Sequence, residues 1–196
     1  LMKNILYTII LSFLFSSSTF ADFEAGLDAY NAGDDATALK EWKAAAEQGD
    51  VKAQNNLAWM YAKGVGITQD YKEAAKWYRL AAEQGFAEAQ NSLALMYARG
   101  QGVTQDYKEA AKWFRLAAEQ GFAEAQHSLA LMYWDGKGVT QDKVLAHMWV
   151  NIAVRNGYEG AKKGRDAAES RMTSEQIAEA QELARQCVES DYKDCG

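Results

Sequence analysis

Few side chains in this 196-residue sequence have the types and spacing that catalysis requires. Neither His127 nor His147 belongs to an H-E-x-x-H zinc motif, and no G-x-S-x-G nucleophile motif is present. One S-x-x-K, Ser190–Lys193, resembles the serine β-lactamase signature, but no K-T-G accompanies it. We therefore predict no catalytic residue, no metal site, no cofactor and no enzymatic activity. Each histidine is expected to be solvated or hydrogen-bonded.

The two cysteines, Cys187 and Cys195, are the only thiols in the chain. They are not spaced as C-x-x-C, and no third cysteine or nearby histidine completes a zinc site. In an oxidising compartment we expect them to form a disulfide that fixes the C-terminal tail and stabilises the fold by about 2–3 kcal/mol. Free thiols or an intermolecular bridge are the alternatives.

The N-terminus has the three parts of a secretory signal peptide over residues 2–21. Lys3 supplies the positive charge, residues 5–15 are mainly apolar, and Thr19-Phe20-Ala21 places small residues at the cleavage positions. We predict cleavage after Ala21, a periplasmic or secreted protein, and no membrane association afterwards. An uncleaved anchor is the alternative, although the apolar run is shorter than the roughly 20 residues of a spanning helix.

A 36-residue unit occurs twice in succession, as Tyr71–Asp106 and Tyr107–Asp142. The two copies differ at only five positions: Tyr78/Phe114, Asn91/His127, Ala98/Trp134, Arg99/Asp135 and Gln101/Lys137. A tandem repeat of this length predicts a solenoid, in which each unit buries its apolar face against the next. The absence of proline favours unbroken helices.

Each unit is predicted to be a pair of antiparallel helices. Ala89, Leu93, Met96 and Tyr97 share one helical face, and Gly100 is placed to end that helix in a left-handed conformation. Asp106 is placed to cap the next helix. Beyond Gly157 the glycine loop is lost, so Tyr158–Arg171 and a helix opened by Thr173 are predicted to cap the solenoid.

A possible binding surface lies almost opposite the core direction of the first helices. Its predicted members recur at the repeat period: Asn55, Trp59, Asn91, Leu95, His127, Leu131 and Trp134. An exposed apolar row of Trp59, Leu95, Leu131 and Trp134 would suit a peptide or a partner helix. The net charge of −6 argues against a nucleic-acid partner. The alternative is that this face packs within the protein.

The repeat resembles the Sel-1-like repeat family, a tetratricopeptide-like class. In the first full unit the resemblance is carried by Ala53, Leu57, Met60, Tyr61, Gly64, Gly66, Gln69, Asp70, Ala74, Trp77, Tyr78, Ala81, Ala82 and Gly85. It implies an all-α, right-handed superhelical solenoid of about four helical pairs plus a C-terminal cap. It also implies an adaptor role, and members from bacteria are often exported.

The expected organisation is a signal peptide over residues 1–21, a repeat solenoid over 22–157, and capping helices with a disulfide-closed tail over 158–196. The predicted function is an exported scaffold that binds a protein or peptide on its concave face. Two alternatives remain open. One is a β-lactam or cell-wall hydrolase, because some cysteine-rich relatives carry a β-lactamase label, and the other is an envelope assembly or stress factor.

Overall fold

The computed structural model describes residues 23–193 and 195, and over this range the chain is helical without strands. The predicted signal peptide lies outside the described residues. The helices are α1 (Phe23–Asn31), α2 (Asp35–Glu47), α3 (Val51–Lys63), α4 (Tyr71–Glu83), α5 (Ala87–Arg99), α6 (Tyr107–Ala118), α7 (Ala123–Asp135), α8 (Lys143–Arg155), α9 (Ala161–Glu169) and α10 (Ser174–Glu189).

The first eight helices form four successive pairs, and each helix from α1 to α8 packs on the next. Helix α8 also contacts both α9 and α10, which close the C-terminal end. The core between units consists largely of alanines, with Leu57, Leu93 and Leu129 fully buried at equivalent positions. Small alanines let the helices approach closely. The predicted all-α solenoid with a helical cap is therefore confirmed.

The predicted helix ends are found where the sequence placed them. Gly64, Gly100 and Gly136 end α3, α5 and α7 in the left-handed conformation, with φ of 72°, 67° and 68°. The Asp106 side chain accepts hydrogen bonds from the backbone N–H groups of Lys108 and Glu109 at the start of α6. These caps satisfy backbone groups that a helix end leaves unpaired, and they fix the loop between the helices of each unit.

The second glycine of each loop touches the preceding unit. A Cβ atom on Gly102 would lie 1.9 Å from the carbonyl oxygen of Tyr71, and one on Gly138 would lie 2.0 Å from that of Tyr107. No side chain fits at such a distance. Glycine is therefore needed here for close contact between units as well as for its positive φ.

A row of buried amides, which the sequence reasoning missed, joins the units. Gln54, Gln90 and Gln126 donate from Nε2 to carbonyl oxygens of the preceding helix, at 3.2, 3.1 and 3.0 Å. Their Oε1 atoms accept from the side-chain amides of Gln84, Gln120 and Asn156, at 2.7, 2.7 and 3.0 Å. Both amide groups of each pair recur at the 36-residue period, which is the signal that would have revealed this amide ladder.

The C-terminal cap differs in detail from its prediction. Helix α9 begins at Ala161, after Gly160, and not at Tyr158. Thr173 and Gln176 form the predicted capping box at the start of α10.

The C-terminal tail is tied to the end of the solenoid. Cys187 and Cys195 are joined in a disulfide, as predicted, with Cα atoms 4.7 Å apart. Within the loop that they close, the Tyr192 hydroxyl lies 3.0 Å from Nδ2 of Asn156. The tail therefore contacts the last amide pair of the ladder through Asn156.

Candidate functional site

The predicted binding residues lie on α3, α5 and α7, the first helices of three successive pairs. Leu131 is 51% exposed, more than any other large apolar side chain among residues 23–193. Trp59, Leu95 and Trp134 are half-buried, and Asn55 is only 4% exposed. The face thus carries an apolar row, but the expectation of four exposed side chains holds only for Leu131.

Packing between neighbouring units explains why side chains of this row are less exposed than predicted. The Trp59 and Tyr30 rings are nearly perpendicular, with ring centroids 5.6 Å apart. Asn55 lies deeper, and its Nδ2 donates to Oδ1 of Asn56 at 3.4 Å. The helical-wheel argument treats a single helix, so it could not include burial by the preceding unit.

Two cavities open along this face. The first, here called the middle cavity, lies among α3, α4 and α5 and has a volume of about 350 Å³. Its lining includes Trp59, Ala62, Lys63, Gln69, Tyr71, Tyr78, Ser92, Leu95, Met96, Arg99 and Gln101. It therefore brings together Trp59 and Leu95, two members of the predicted row, in mixed polar and apolar surroundings.

The second, the C-terminal cavity, lies among α7, α8 and α9 and has a volume of about 150 Å³. Its lining is His127, Ala130, Leu131, Trp134, Ala146, Val150, Gly164, Ala167, Ala168 and Arg171. Three predicted residues, His127, Leu131 and Trp134, therefore meet in one mainly apolar cavity. The contribution of α9 was not predicted.

The two cavities occupy equivalent positions, two repeats or 72 residues apart. Several lining residues correspond one to one: Trp59 with Leu131, Ala62 with Trp134, Tyr78 with Val150, Ser92 with Gly164, Leu95 with Ala167, and Arg99 with Arg171. Helix α9 therefore continues the repeat register as the first helix of a degenerate fifth unit. The signal available in the sequence was the 36-residue step from Ala125 to Ala161.

The column Asn55, Asn91 and His127 shares an unusual property. In each of the three side chains one buried polar atom lacks a hydrogen-bond partner among the described residues: Oδ1 of Asn55, Oδ1 of Asn91 and Nδ1 of His127. Burial lowers the pKa of the His127 imidazole, whose ring lies against Tyr158 with centroids 5.1 Å apart. Buried polar atoms are usually paired, so these three atoms depart from the usual pattern.

The other chemical candidates have structural partners. His147 is fully buried, with Nδ1 3.1 Å from the amide of Asn151 and Nε2 3.1 Å from a carboxylate oxygen of Glu169. The Asn151 amide donates to Nδ1, so Nε2 carries the proton and donates to Glu169. This histidine is hydrogen-bonded, as expected, and it attaches α9 to α8.

Ser190, the serine of the S-x-x-K motif, ends α10. Its hydroxyl donates to the carbonyl oxygen of Cys187 at 2.9 Å, and Lys193 is exposed beside it. The geometry favours a role at the helix end and lends no support to a hydrolase.

Comparison with known proteins identifies the repeat. The Sel1 repeat family model matches residues 51–86, 87–122 and 123–158, which together make up more than half of the chain. The chain belongs to the Sel1 repeat family. Sel1 repeat proteins are generally non-catalytic scaffolds for protein interactions.

Solved structures share the fold of this Sel1 repeat protein. A Sel1 repeat protein from Oxalobacter formigenes is 26% identical, with a TM-score of 0.70, over 89% of this chain and 79% of the other. A protective antigen of uropathogenic Escherichia coli strains that displays an SLR fold is 28% identical, with a TM-score of 0.61. That match covers 87% of this chain but 46% of the antigen.

A third structure, Helicobacter pylori cysteine rich protein B, is 22% identical with a TM-score of 0.52, over 63% of this chain and 93% of the other. At that identity the likeness concerns the fold alone. No match was found among curated proteins. Over the part of the chain that the structure describes, no helix has the length and apolar character needed to span a membrane.

Proposed function

We propose that this Sel1 repeat protein is an exported scaffold that binds a peptide segment of a partner protein along α3, α5 and α7. One observation carries the proposal: Trp59, Leu95, Leu131 and Trp134 border two equivalent cavities on the same row of helices. Repeats of this kind commonly use such a row as an extended binding surface.

The chemistry of the row favours an extended peptide. Tryptophan contributes strongly to binding when a partner excludes water from it, and two of the row's members are tryptophans. The net charge of −6 disfavours nucleic acid.

Export is the second part of the proposal. It is supported by the signal-like residues 2–21 and by the Cys187–Cys195 disulfide, which suits an oxidising compartment. Mass spectrometry of the protein purified from its natural source tests it. We expect a mature N-terminus at Asp22 and a closed disulfide; an uncleaved chain with free thiols would contradict export.

Selection from a random peptide library tests peptide binding. The wild-type protein should enrich a set of related peptides, and the Trp59→Ala/Trp134→Ala variant should lose at least tenfold in affinity for them. The matched control is Leu80→Ala/Leu116→Ala, which removes leucines of α4 and α6 that are 39% and 38% exposed. This control should bind like the wild type.

Equal binding by both double variants would remove the row from consideration. Weak binding to many unfolded proteins, retained by both variants, would instead favour a role in envelope assembly or stress. Circular dichroism of each variant establishes that the helices persist, so that a loss of binding reports on the surface.

A further inference from the structure

The C-terminal cavity has apolar walls and a cationic edge. Leu131, Trp134 and Val150 form much of its wall, while Arg171 stands at the end of α9. The side chains described as lining it include no aspartate or glutamate. A second cation, Lys143, lies over the Trp134 ring with Nζ 5.5 Å from the centroid. This local charge is opposite in sign to the net charge of −6.

Polar groups at this cavity lack hydrogen-bond or ion-pair partners within the described residues. The Arg171 guanidinium has no ion-pair or hydrogen-bond partner among residues 23–193 and 195. Nδ1 of His127 is buried and likewise unpartnered within that range. By contrast, Asp135, next to Trp134, is already paired with Lys137 at 2.8 Å. The cavity therefore offers, among the described residues, one unpaired, exposed cation beside an apolar space.

The size of the cavity limits its occupant. A cavity of about 150 Å³ with apolar walls holds a group of roughly the size of benzene. One leucine or phenylalanine side chain fits this description, whereas a long acyl chain does not. A carboxylate next to that side chain would form a charge-assisted, two-pronged pair with an arginine.

We infer that the C-terminal cavity binds the last residue of a partner peptide, with its apolar side chain inside and its α-carboxylate on Arg171. The inference rests on the proposed function and specifies its ligand: a chain whose free C-terminus ends in a leucine- or phenylalanine-sized residue.

The equivalent position in the middle cavity supplies a matched control. Arg99 corresponds to Arg171, but the middle cavity is larger, about 350 Å³, and is also lined by Lys63, Gln69 and Ser92. Its lining is about as polar as it is apolar, so it lacks a mainly apolar space of side-chain size. Arg99 should therefore not distinguish a free C-terminus from a blocked one.

Fluorescence anisotropy with fluorescein-labelled hexapeptides Gly-Gly-Ser-Gly-Ser-Leu tests the inference. The peptide with a free carboxylate should bind the wild-type protein at least tenfold more tightly than its C-terminal amide. Arg171→Gln should abolish this preference and Arg99→Gln should retain it. Arg171 is exposed, so its substitution is not expected to unfold α9, and circular dichroism checks this.

Leu131→Ala should weaken binding of the acid peptide, because the apolar wall is removed. Equal binding of acid and amide to the wild type, or equal loss of the preference in both arginine variants, would overturn the inference. Library-selected peptides that still require Trp59 and Trp134 would then leave the proposed function standing. Failure of every peptide to bind would contradict both.

Discussion

The middle and C-terminal cavities occupy the same positions in the repeat, yet their walls differ in chemistry. In the middle cavity the loop residue Gln101 and the buried Tyr78 contribute polar groups. In the C-terminal cavity Val150 replaces Tyr78, and small residues of α9 stand where Ser92 and Leu95 stand. One scaffold thus produces two different pockets through substitutions at equivalent positions of the repeat.

The contacts that hold α5 at the middle cavity differ from those that hold α9 at the C-terminal cavity. In the regular units an arginine of the second helix donates to a tyrosine hydroxyl of the next first helix: Arg79 to Tyr97 at 2.7 Å, and Arg115 to Tyr133. At the C-terminal end, 72 residues on from Arg79 and Tyr97, these positions are Asn151 and Glu169, and buried His147 bridges them. The last unit therefore replaces an arginine–tyrosine contact by one that centres on a fully buried histidine.

Among the substitutions that we predict, the largest loss of stability is expected where the loop glycine Gly102 touches the preceding unit. Gly102→Ala would force a Cβ atom to within 1.9 Å of the Tyr71 carbonyl, at the wall of the middle cavity. We expect a loss of about 2–5 kcal/mol in the free energy of unfolding, since overpacking adds to the strain of a positive φ. Urea denaturation followed by circular dichroism measures it.

Gly85→Ala is the matched control, because Gly85 also has a positive φ, 90°, but no atom lies within 4 Å of its added Cβ. Only backbone strain of about 1–2 kcal/mol is expected there. Equal losses in the two variants would show that glycine is needed at residue 102 for its φ alone. At the C-terminal cavity the residue equivalent to Gly102 is Ser174, so this close glycine contact is absent there.

Loss of the hydrogen bond between His147 and Glu169, which attaches α9 to α8, should have the next largest effect on stability. Glu169→Ala leaves the fully buried His147 without its acceptor, at a cost of about 1–3 kcal/mol. Glu169→Gln keeps an acceptor and should cost less. Peptide binding at Arg171 should weaken in the alanine variant because α9 is released. A stable alanine variant with unchanged binding would show that His147 does not hold α9.

The smallest predicted effect is on the pH dependence of stability. It arises from Tyr78 of the middle cavity, whose equivalent in the C-terminal cavity is Val150. Burial raises the pKa of Tyr78 to about 12, while the unfolded chain ionises near 10. Between these values the unfolded state binds fewer protons than the native state, so stability falls as the pH rises above about 10. We expect Tyr78 to account for on the order of 1–2 kcal/mol of that loss by pH 12.

Tyr78→Phe, which copies Phe114 of the twin unit, should remove this part of the alkaline loss. The other tyrosines are common to both proteins, so the difference between their stability curves from pH 9 to pH 12 isolates Tyr78. Parallel curves would contradict a buried, neutral phenol at this position.

Much of the scaffold was predictable because its determinants are local. Gly100 and Asp106 end and begin helices through contacts within a few residues, and the columns of Leu57, Leu93 and Leu129 repeat visibly. The half-buried state of Trp59 was not predictable from its own helix, since its ring packs against Tyr30 of the preceding unit. The register of α9 was obscured because its sequence retains few of the repeat's apolar positions.

The candidate site was predictable in position but not in form. His127, Leu131 and Trp134 were placed on one face by helical spacing, yet the cavity that unites them requires Gly164 of α9 and Arg171 just after that helix. Those two residues follow the repeat only in register, without its motif. The contrast shows that residues that determine the scaffold recur in the sequence, whereas those that shape the pockets vary from unit to unit.

The indole N–H signals of the six tryptophans offer the most direct test of peptide binding along the first helices. Two-dimensional ¹H–¹⁵N NMR spectra are recorded while the tightest selected peptide is added. We expect the signals of Trp59 and Trp134 to shift, and those of the buried Trp42 and Trp149 to stay unchanged. Shifts confined to Trp77 and Trp113, on the second helices, would contradict the proposed binding surface.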